Sequence, residues 1–368
     1  MKIAFLFKKD SHLKAVKSTA LRICAQYHCE STFIGIDSQC LCSHDSYSVI
    51  YIAKENLKVL SEYDYVIACL GGYLLNQTVA VLRDTNTKVV SIFPGIVSHY
   101  QLDAFLSRLN ADQVWLNSKA DFDLYNKICQ LLNRPNNSIL YGMSWLNLVN
   151  PTYNGNFPIE TNKAIIFEQT EILYSSSRKK RFLDVLEKII QSNPEINFKY
   201  KIRNNSIDNY FLQLRKHLEK FENVEVVEEI NYKDVIQSYY YLSISSSALI
   251  EGVAYGKASY IIDQTLLDND SKEFYSNSHM ELMSFYLRKN SITINDYWYK
   301  QRVSLPIDHV DLLSIRKNRI FTVFRNRSYN LIRLFLIKLT FFYPKTAYLF
   351  INRSKIMAIQ KSLEYLSM

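Results

Sequence analysis

The chain of 368 residues carries 44 Lys and Arg against 35 Asp and Glu, a net charge of +9, and is 48% hydrophobic and 14% aromatic. That content is enough for two packed cores and excludes a disordered chain. Eight glycines and seven prolines exclude collagen-like and Gly/Ser-rich architectures. The charge is uneven: Arg316–Met368 holds eleven Lys and Arg and one acid, Glu364, so residues 1–315 carry a net charge of −1.

In chain order, Ile3–Phe7 is too short for a secretory leader and reads as the first strand of a cytoplasmic domain. The strands predicted for the first half are Lys2–Phe7, Thr32–Ile36, Ser48–Ile52, Asp64–Leu70, Lys88–Phe93, Gln113–Asn117 and Ser138–Tyr141. Between them Leu13–Tyr27, Leu74–Asp84, Gln101–Leu109 and Ala120–Leu132 have helical periodicity. Short β-branched and aromatic runs alternating with helices indicate a parallel sheet covered on both faces. Asn150-Pro151, Asn154-Gly155-Asn156 and Pro158 form the best linker.

The pattern then restarts. Strands are predicted at Ala164–Glu168, Asn197–Ile202, Val224–Val227, Tyr241–Ser245 and Ser259–Asp263. Helices are predicted at Lys179–Gln191, Tyr210–Phe221, Lys233–Tyr239 and Ala248–Tyr255. The expected organisation is an α/β protein of two Rossmann-like domains facing a cleft. Residues 1–150 form the first domain, 151–315 the second, and 316–368 a basic helical tail.

The cysteines, Cys24, Cys29, Cys40, Cys42, Cys69 and Cys129, lack zinc-site spacing and are expected to be unlinked, mostly buried thiols. No metal motif is present, and neither GxGxxG nor GxxxxGK[ST] occurs, so no dinucleotide or P-loop site and no cofactor is expected. The scarce glycines mark strand ends instead: Gly71-Gly72, Pro94-Gly95 and Gly142.

Ser245-Ser246-Ser247 opens a helix that Gly256 closes, with Glu251 one turn in. Hydroxyls and free N–H groups there suit a phosphate, and Glu251 suits ribose hydroxyls. The bland alternative is an ordinary Ser cap. Lys199, Lys201 and Arg203 share one strand face by period 2, either solvated or complementing a phosphate. Asp10 either caps the helix near Leu13 or serves as a general base, and His99 is the second candidate base.

Several segments together resemble bacterial surface-polysaccharide glycosyltransferases of the GT-B type, near those that transfer nonulosonic acids. They are Asp10–Lys14, Tyr63–Ile67 with Gly71-Gly72, Phe93–Ile96, Arg108 with Asp112–Ser118, Ile166–Thr170, Lys201–Arg203 and Ser245–Gly252. The resemblance covers roughly residues 1–280. It implies that Ser245–Ser247 and Glu251 contact a donor nucleotide. It also implies that Pro94-Gly95 and Asp10 face the reacting sugar, with Ser11, Gly72 and Gln169 among the binding residues. The His-Pro dipeptide and acidic-acidic-Gly motif of better-known sialyltransferases of this fold are missing from the sequence.

The tail interleaves Phe321, Phe324, Leu334, Phe335 and Phe341-Phe342-Tyr343 with Arg325, Arg327, Arg333, Lys338 and Lys345. That composition suits an anionic bilayer surface, and the longest apolar stretch, Leu331–Phe350, is too interrupted to span one. No nucleic-acid recognition motif is present.

The sequence thus predicts a metal-independent enzyme, cytoplasmic and peripheral at the inner membrane. It would transfer a sugar, such as a CMP-linked nonulosonic acid, from a nucleotide-sugar donor to a glycan acceptor. The alternatives are a sugar-nucleotide epimerase of the same architecture and a non-enzymatic glycan- or nucleotide-binding protein.

Overall fold

The computed structural model describes residues 1–37, 49–146, 159–170, 172–203, 209–287 and 294–318. The chain divides into two compact units. Of the described residues, Met1–Trp145 and Ser304–Asn318 form the first, and those of Leu146–Val303 the second.

In unit 1 the strands are β1 (Lys2–Phe7), β2 (Glu30–Ile36), β3 (Val49–Ile52), β4 (Tyr65–Ala68), β5 (Lys88–Ser91), β6 (Gln113–Leu116) and β7 (Ser138–Leu140). They pair in parallel in the order β3-β2-β1-β4-β5-β6-β7. The helices are α1 (Asp10–Tyr27), α2 (Gly72–Leu82), α3 (Leu102–Leu106) and α4 (Lys119–Leu131).

Strand β1 shows why this sequence takes this fold. Its alternate residues go to opposite faces. Ile3, Phe5 and Phe7 share a core with Leu13, Val16, Ala20 and Ile23 of α1. Ala4 and Leu6 share another with Leu75, Val79 and Leu82 of α2. A strand buried on both faces must be apolar, and this one is from Ile3 to Phe7, all five of them buried.

Unit 2 is a five-stranded parallel sheet, ordered β10-β9-β8-β11-β12. Its strands are β8 (Glu160–Phe167), β9 (Asn197–Lys201), β10 (Val224–Val227), β11 (Ser238–Ser243) and β12 (Ala258–Ile261). Its helices are α5 (Ser176–Ser192), α6 (Asn209–Leu218), α7 (Tyr232–Gln237), α8 (Ala248–Ala254), α9 (Asn269–Tyr275) and α10 (Asp296–Arg302). Both sheets are doubly wound, so the chain has two Rossmann-like domains of the GT-B kind.

The structure departs from the sequence expectations in places. The helix predicted to reach Tyr239 ends at Gln237, because Tyr240 and Tyr241 are buried and pair with β8 and β12. Helices α9 and α10 were not anticipated, although Asp268 and Asn295 cap them through their side chains.

The second domain does not run to residue 315. Ser304–Asn318 returns to unit 1, where Val310, Leu312 and Ile315 enter the α1-side core. Tyr27 fastens this return by donating to Val310 O (2.5 Å) and accepting from Leu312 N (2.9 Å). The linker around Pro151, the residues Cys40 and Cys42, and the tail beyond Asn318 lie outside the described residues. Among the described residues no helix is long and apolar enough to cross a membrane.

Candidate functional site

In a doubly wound sheet, ligands bind at the carboxyl ends of the strands where the strand order reverses. Unit 2 has that point between β8 and β11. Ser243, the last residue of β11, donates its hydroxyl to Phe167 O, the last carbonyl of β8, at 2.9 Å. Glu168-Gln169-Thr170 and Ile244–Ser247 therefore leave the sheet side by side. This sets Gln169 and Ser245–Ser247 after the ends of neighbouring strands, a relationship that spacing alone did not reveal.

The serine cluster is arranged differently from the expected cap. Ser247 stands at the start of α8 in αR geometry (φ −59°, ψ −18°) and its side chain makes no capping bond. Ser246 does that work, its Oγ accepting from Ala248 N at 3.2 Å. Its carbonyl accepts from the Tyr275 hydroxyl at 3.0 Å, which ties the loop to α9. Glu251 lies one turn on, its N–H bonded to Ser247 O at 3.2 Å. Gly256 ends the helix with φ +70°, as its position suggested.

The basic strand face is partly committed elsewhere. Lys199 Nζ bonds Asp234 (2.8 Å) and Glu225 (3.3 Å), so it is a structural cation of β9 rather than a phosphate ligand. Lys201 Nζ donates to Ile202 O at 2.9 Å, and burial holds its pKa below the usual lysine range. Arg203 follows the strand, and its N–H donates to Glu168 Oε2 at 2.8 Å. Lys201 and Arg203 thus stand one strand away from Gln169, on the same edge.

In unit 1 the strand order reverses between β1 and β4. Cys69 N bonds Leu6 O at 3.0 Å, placing Lys8–His12 beside Gly71-Gly72. Asp10 and Ser11 are exposed there, and Gly72 takes φ +58° at the start of α2. Asp10 is not the cap of α1: Lys9 occupies that position, and Asp10 is the first-turn acid.

Arg108 lies behind Gly71. It is 3% exposed, donates to the carbonyls of Ala104, Leu70 and Ile92, and stacks 3.7 Å over the Phe93 ring. Burial lowers its pKa to about 10. His12 beside it is pushed down to about 4, by burial first and then by Lys9, Arg108 and Lys8.

Pro94, Gly95 and His99 follow β5 farther along this edge. Asn117 holds Gly95 by donating to its carbonyl at 2.8 Å. His99 Nε2 is 3.0 Å from Asp121 Oδ1, and Asp121 N bonds the Ser118 hydroxyl that caps α4. An imidazole fixed by a buried carboxylate has the geometry of an oriented acid/base group.

Sequence reasoning did not assign Asp121 a role. The Ser118-Lys119-Ala120-Asp121 capping pattern could have located it. Arg108 and Glu168 lie in segments that carry the resemblance, but a lone charge in an apolar segment does not announce its partners. Among the described residues no three or more His, Cys, Asp or Glu form a group that could hold a metal.

No known protein family matches the sequence, and no curated protein matches it. Solved structures do share its fold. A Listeria monocytogenes protein assigned as a UDP-N-acetylglucosamine 2-epimerase superposes with TM-score 0.58 at 10% identity, covering 77% of this chain and 84% of that one. The Methanocaldococcus jannaschii UDP-GlcNAc 2-epimerase in complex with UDP-GlcNAc and UDP gives 0.56 at 11%, covering 76% and 88%. The S. aureus MnaA–UDP structure gives 0.55 at 10%, covering 77% and 84%.

These findings correct the expectation of a glycosyltransferase using a CMP-linked donor. Against it stand six solved structures that share the fold over 76–77% of the chain, five of them titled as UDP-N-acetylglucosamine 2-epimerases, the class of enzyme set beside it as an alternative.

Proposed function

We propose that the chain is a sugar-nucleotide epimerase acting on a UDP-linked sugar. The observation that carries this reading is the likeness of the fold to structures titled as UDP-GlcNAc 2-epimerases, two of them holding UDP-GlcNAc, and to a UDP co-structure. The site residues are chemically suited to it. Gln169 and Ser245–Ser247 supply amide and hydroxyl donors for the nucleotide and its diphosphate, with Lys201 and Arg203 adding charge. Glu251 accepts from ribose hydroxyls.

Inversion at a carbon bearing hydrogen needs a proton taken from one face and one delivered to the other. Asp10 and His99, the latter oriented by Asp121, supply the two titratable groups in this reading. No acceptor glycan is required.

The test is incubation of the purified chain with UDP-GlcNAc in heavy water, followed by proton NMR. A second anomeric signal with deuterium at the inverted carbon is the expected result. Binding of UDP without any change in the sugar points to the binding-protein alternative. No binding at ~1 mM, the top of the usual KM range, overturns the reading.

The tail composition further supports attachment to an anionic bilayer surface, at about 1 kcal/mol per basic residue near it.

A further inference from the structure

Cys24 and Cys29 lie on the opposite edge of unit 1 from the candidate site. Helix α1 runs back from the carboxyl end of β1 and finishes beside the start of β2. His28 closes it in the left-handed region (φ 48°, ψ 49°), with its N–H bonded to Cys24 O at 2.9 Å. That turn folds Cys29 onto the last helical turn, and the two sulfurs come to 3.1 Å, both half-buried. The contact is about 1 Å longer than a covalent S–S bond of ~2.05 Å. No group of three ligating side chains forms among the described residues, so the pair does not read as a metal site.

We propose that Cys24 and Cys29 are a reversible dithiol–disulfide pair, a modification site independent of sugar-nucleotide chemistry. The sequence spacing led to the expectation of unlinked thiols. The αL turn, which spacing does not show, is what brings the sulfurs together. A reducing compartment keeps such a pair in its thiol form until an oxidant appears.

The oxidant is a small-molecule disulfide such as oxidised glutathione. One cysteine thiolate attacks it, forming a mixed disulfide and expelling one glutathione thiolate. The second cysteine then attacks the protein-bound sulfur, forming Cys24–Cys29 and expelling the other. Two protein thiols are oxidised, one disulfide is reduced, and the two protons end on the two glutathiones. Burial and the adjoining Cys24 sulfur push the Cys29 thiol up to about 12. Exchange therefore accelerates with pH across the neutral range.

The experiment equilibrates the full chain in glutathione redox buffers, quenches with acid, alkylates the remaining thiols and maps peptides by mass spectrometry. The expected result is a Cys24–Cys29 disulfide that dithiothreitol reverses, formed while Cys69 and Cys129 still alkylate. Cys24→Ser and Cys29→Ser each abolish it, and both leave UDP binding unchanged. The proposal is overturned if all six thiols stay alkylatable under oxidising conditions. Glutathione adducts alone, or pairing through Cys40 or Cys42, overturn it equally. Because the wild-type chain carries the decisive measurement, a variant that fails to fold does not obscure the outcome.

Discussion

Glu168 and Arg215 form a buried two-point ion pair at the carboxyl end of β8, Nε to Oε1 at 3.1 Å and Nη2 to Oε2 at 2.7 Å. The carboxylate side chain is fully shielded from solvent and also accepts the Arg203 N–H. Arg215 in turn donates to Arg203 O at 3.2 Å, so the pair clamps the end of β9 to α6. Glu168 thus buttresses the strand end that carries Gln169.

Removing one partner of such a pair strands a buried charge, which costs about 3–5 kcal/mol. Arg215→Ala is expected to destabilise by about that much, and Glu168→Ala by less, because the Arg215 side chain keeps partial access to water. Glu168→Gln should cost less, because an amide oxygen still accepts from Arg203 N. Urea unfolding of the three variants checks this. A Glu168→Ala change below about 1 kcal/mol sinks the assignment.

Gly142 holds the return of the chain to unit 1. It has φ +96°, and a Cβ there would sit 2.2 Å from Leu305 O and 2.7 Å from Pro306 N. On either side, Met143 N bonds Ser304 O and Ile307 N bonds Tyr141 O, both at 2.8 Å. Gly142→Ala meets backbone on one side and a left-handed φ on the other. A loss of about 3 kcal/mol or more is expected from the clash and strain together. The thermal midpoint should fall by several degrees. An unshifted midpoint would show that residues 304–307 do not pack there.

How much of this was legible beforehand follows from the range of the interactions. Strand β1 was readable to the residue because burial on both faces leaves no choice but apolar side chains. The β11 boundary was not, since Tyr239–Tyr241 suit a helix or a strand locally, and pairing with β8 and β12 decides between them. Gln169 and Ser245–Ser247 could each be suspected from sequence. Their adjacency depended on β8 and β11 being neighbours, a non-local fact. Lys199 looked equivalent to Lys201, and Glu225 and Asp234, far along the chain, distinguish them.

His12 makes stability depend on acid. Its native pKa of about 4 lies below the 6.5 of an unperturbed histidine. The unfolded chain therefore takes up the proton first as pH falls. The native state keeps its full advantage above pH 6.5 and loses it progressively down to about pH 4. The loss amounts to about 3 kcal/mol, at 1.36 kcal/mol per pH unit. His12→Asn should flatten the unfolding free energy over that window. A variant whose slope matches wild type would refute the assignment.

The tail prediction depends on where it is cut. Asn318 N donates to Asp112 Oδ1 at 2.7 Å, and Lys317 Nζ lies 3.4 Å from Asp112 Oδ2. Truncation after Asn318 preserves those contacts, and truncation before Arg316 removes them. The longer product should keep wild-type thermal stability and lose binding to vesicles containing anionic lipid. Undiminished vesicle binding would refute membrane attachment through the tail.

Two serines three residues apart separate ligand binding from structure. Ser243 is buried and its hydroxyl is spent on Phe167 O. Ser246 is half-exposed, and its Oγ accepts from Ala248 N. Ser243→Ala removes a bond joining β11 to β8 and should cost about 1 kcal/mol of stability while leaving UDP affinity unchanged. Ser246→Ala should instead weaken UDP binding about tenfold, equivalent to ~1.4 kcal/mol, with a smaller effect on unfolding. Gln169→Ala is expected to behave like Ser246→Ala, because both residues leave the sheet at the same reversal of strand order. Calorimetric titration with UDP and urea unfolding on the same three proteins separate the two effects. If Ser243→Ala weakens UDP as much as Ser246→Ala does, the nucleotide is not bound at the β8–β11 edge.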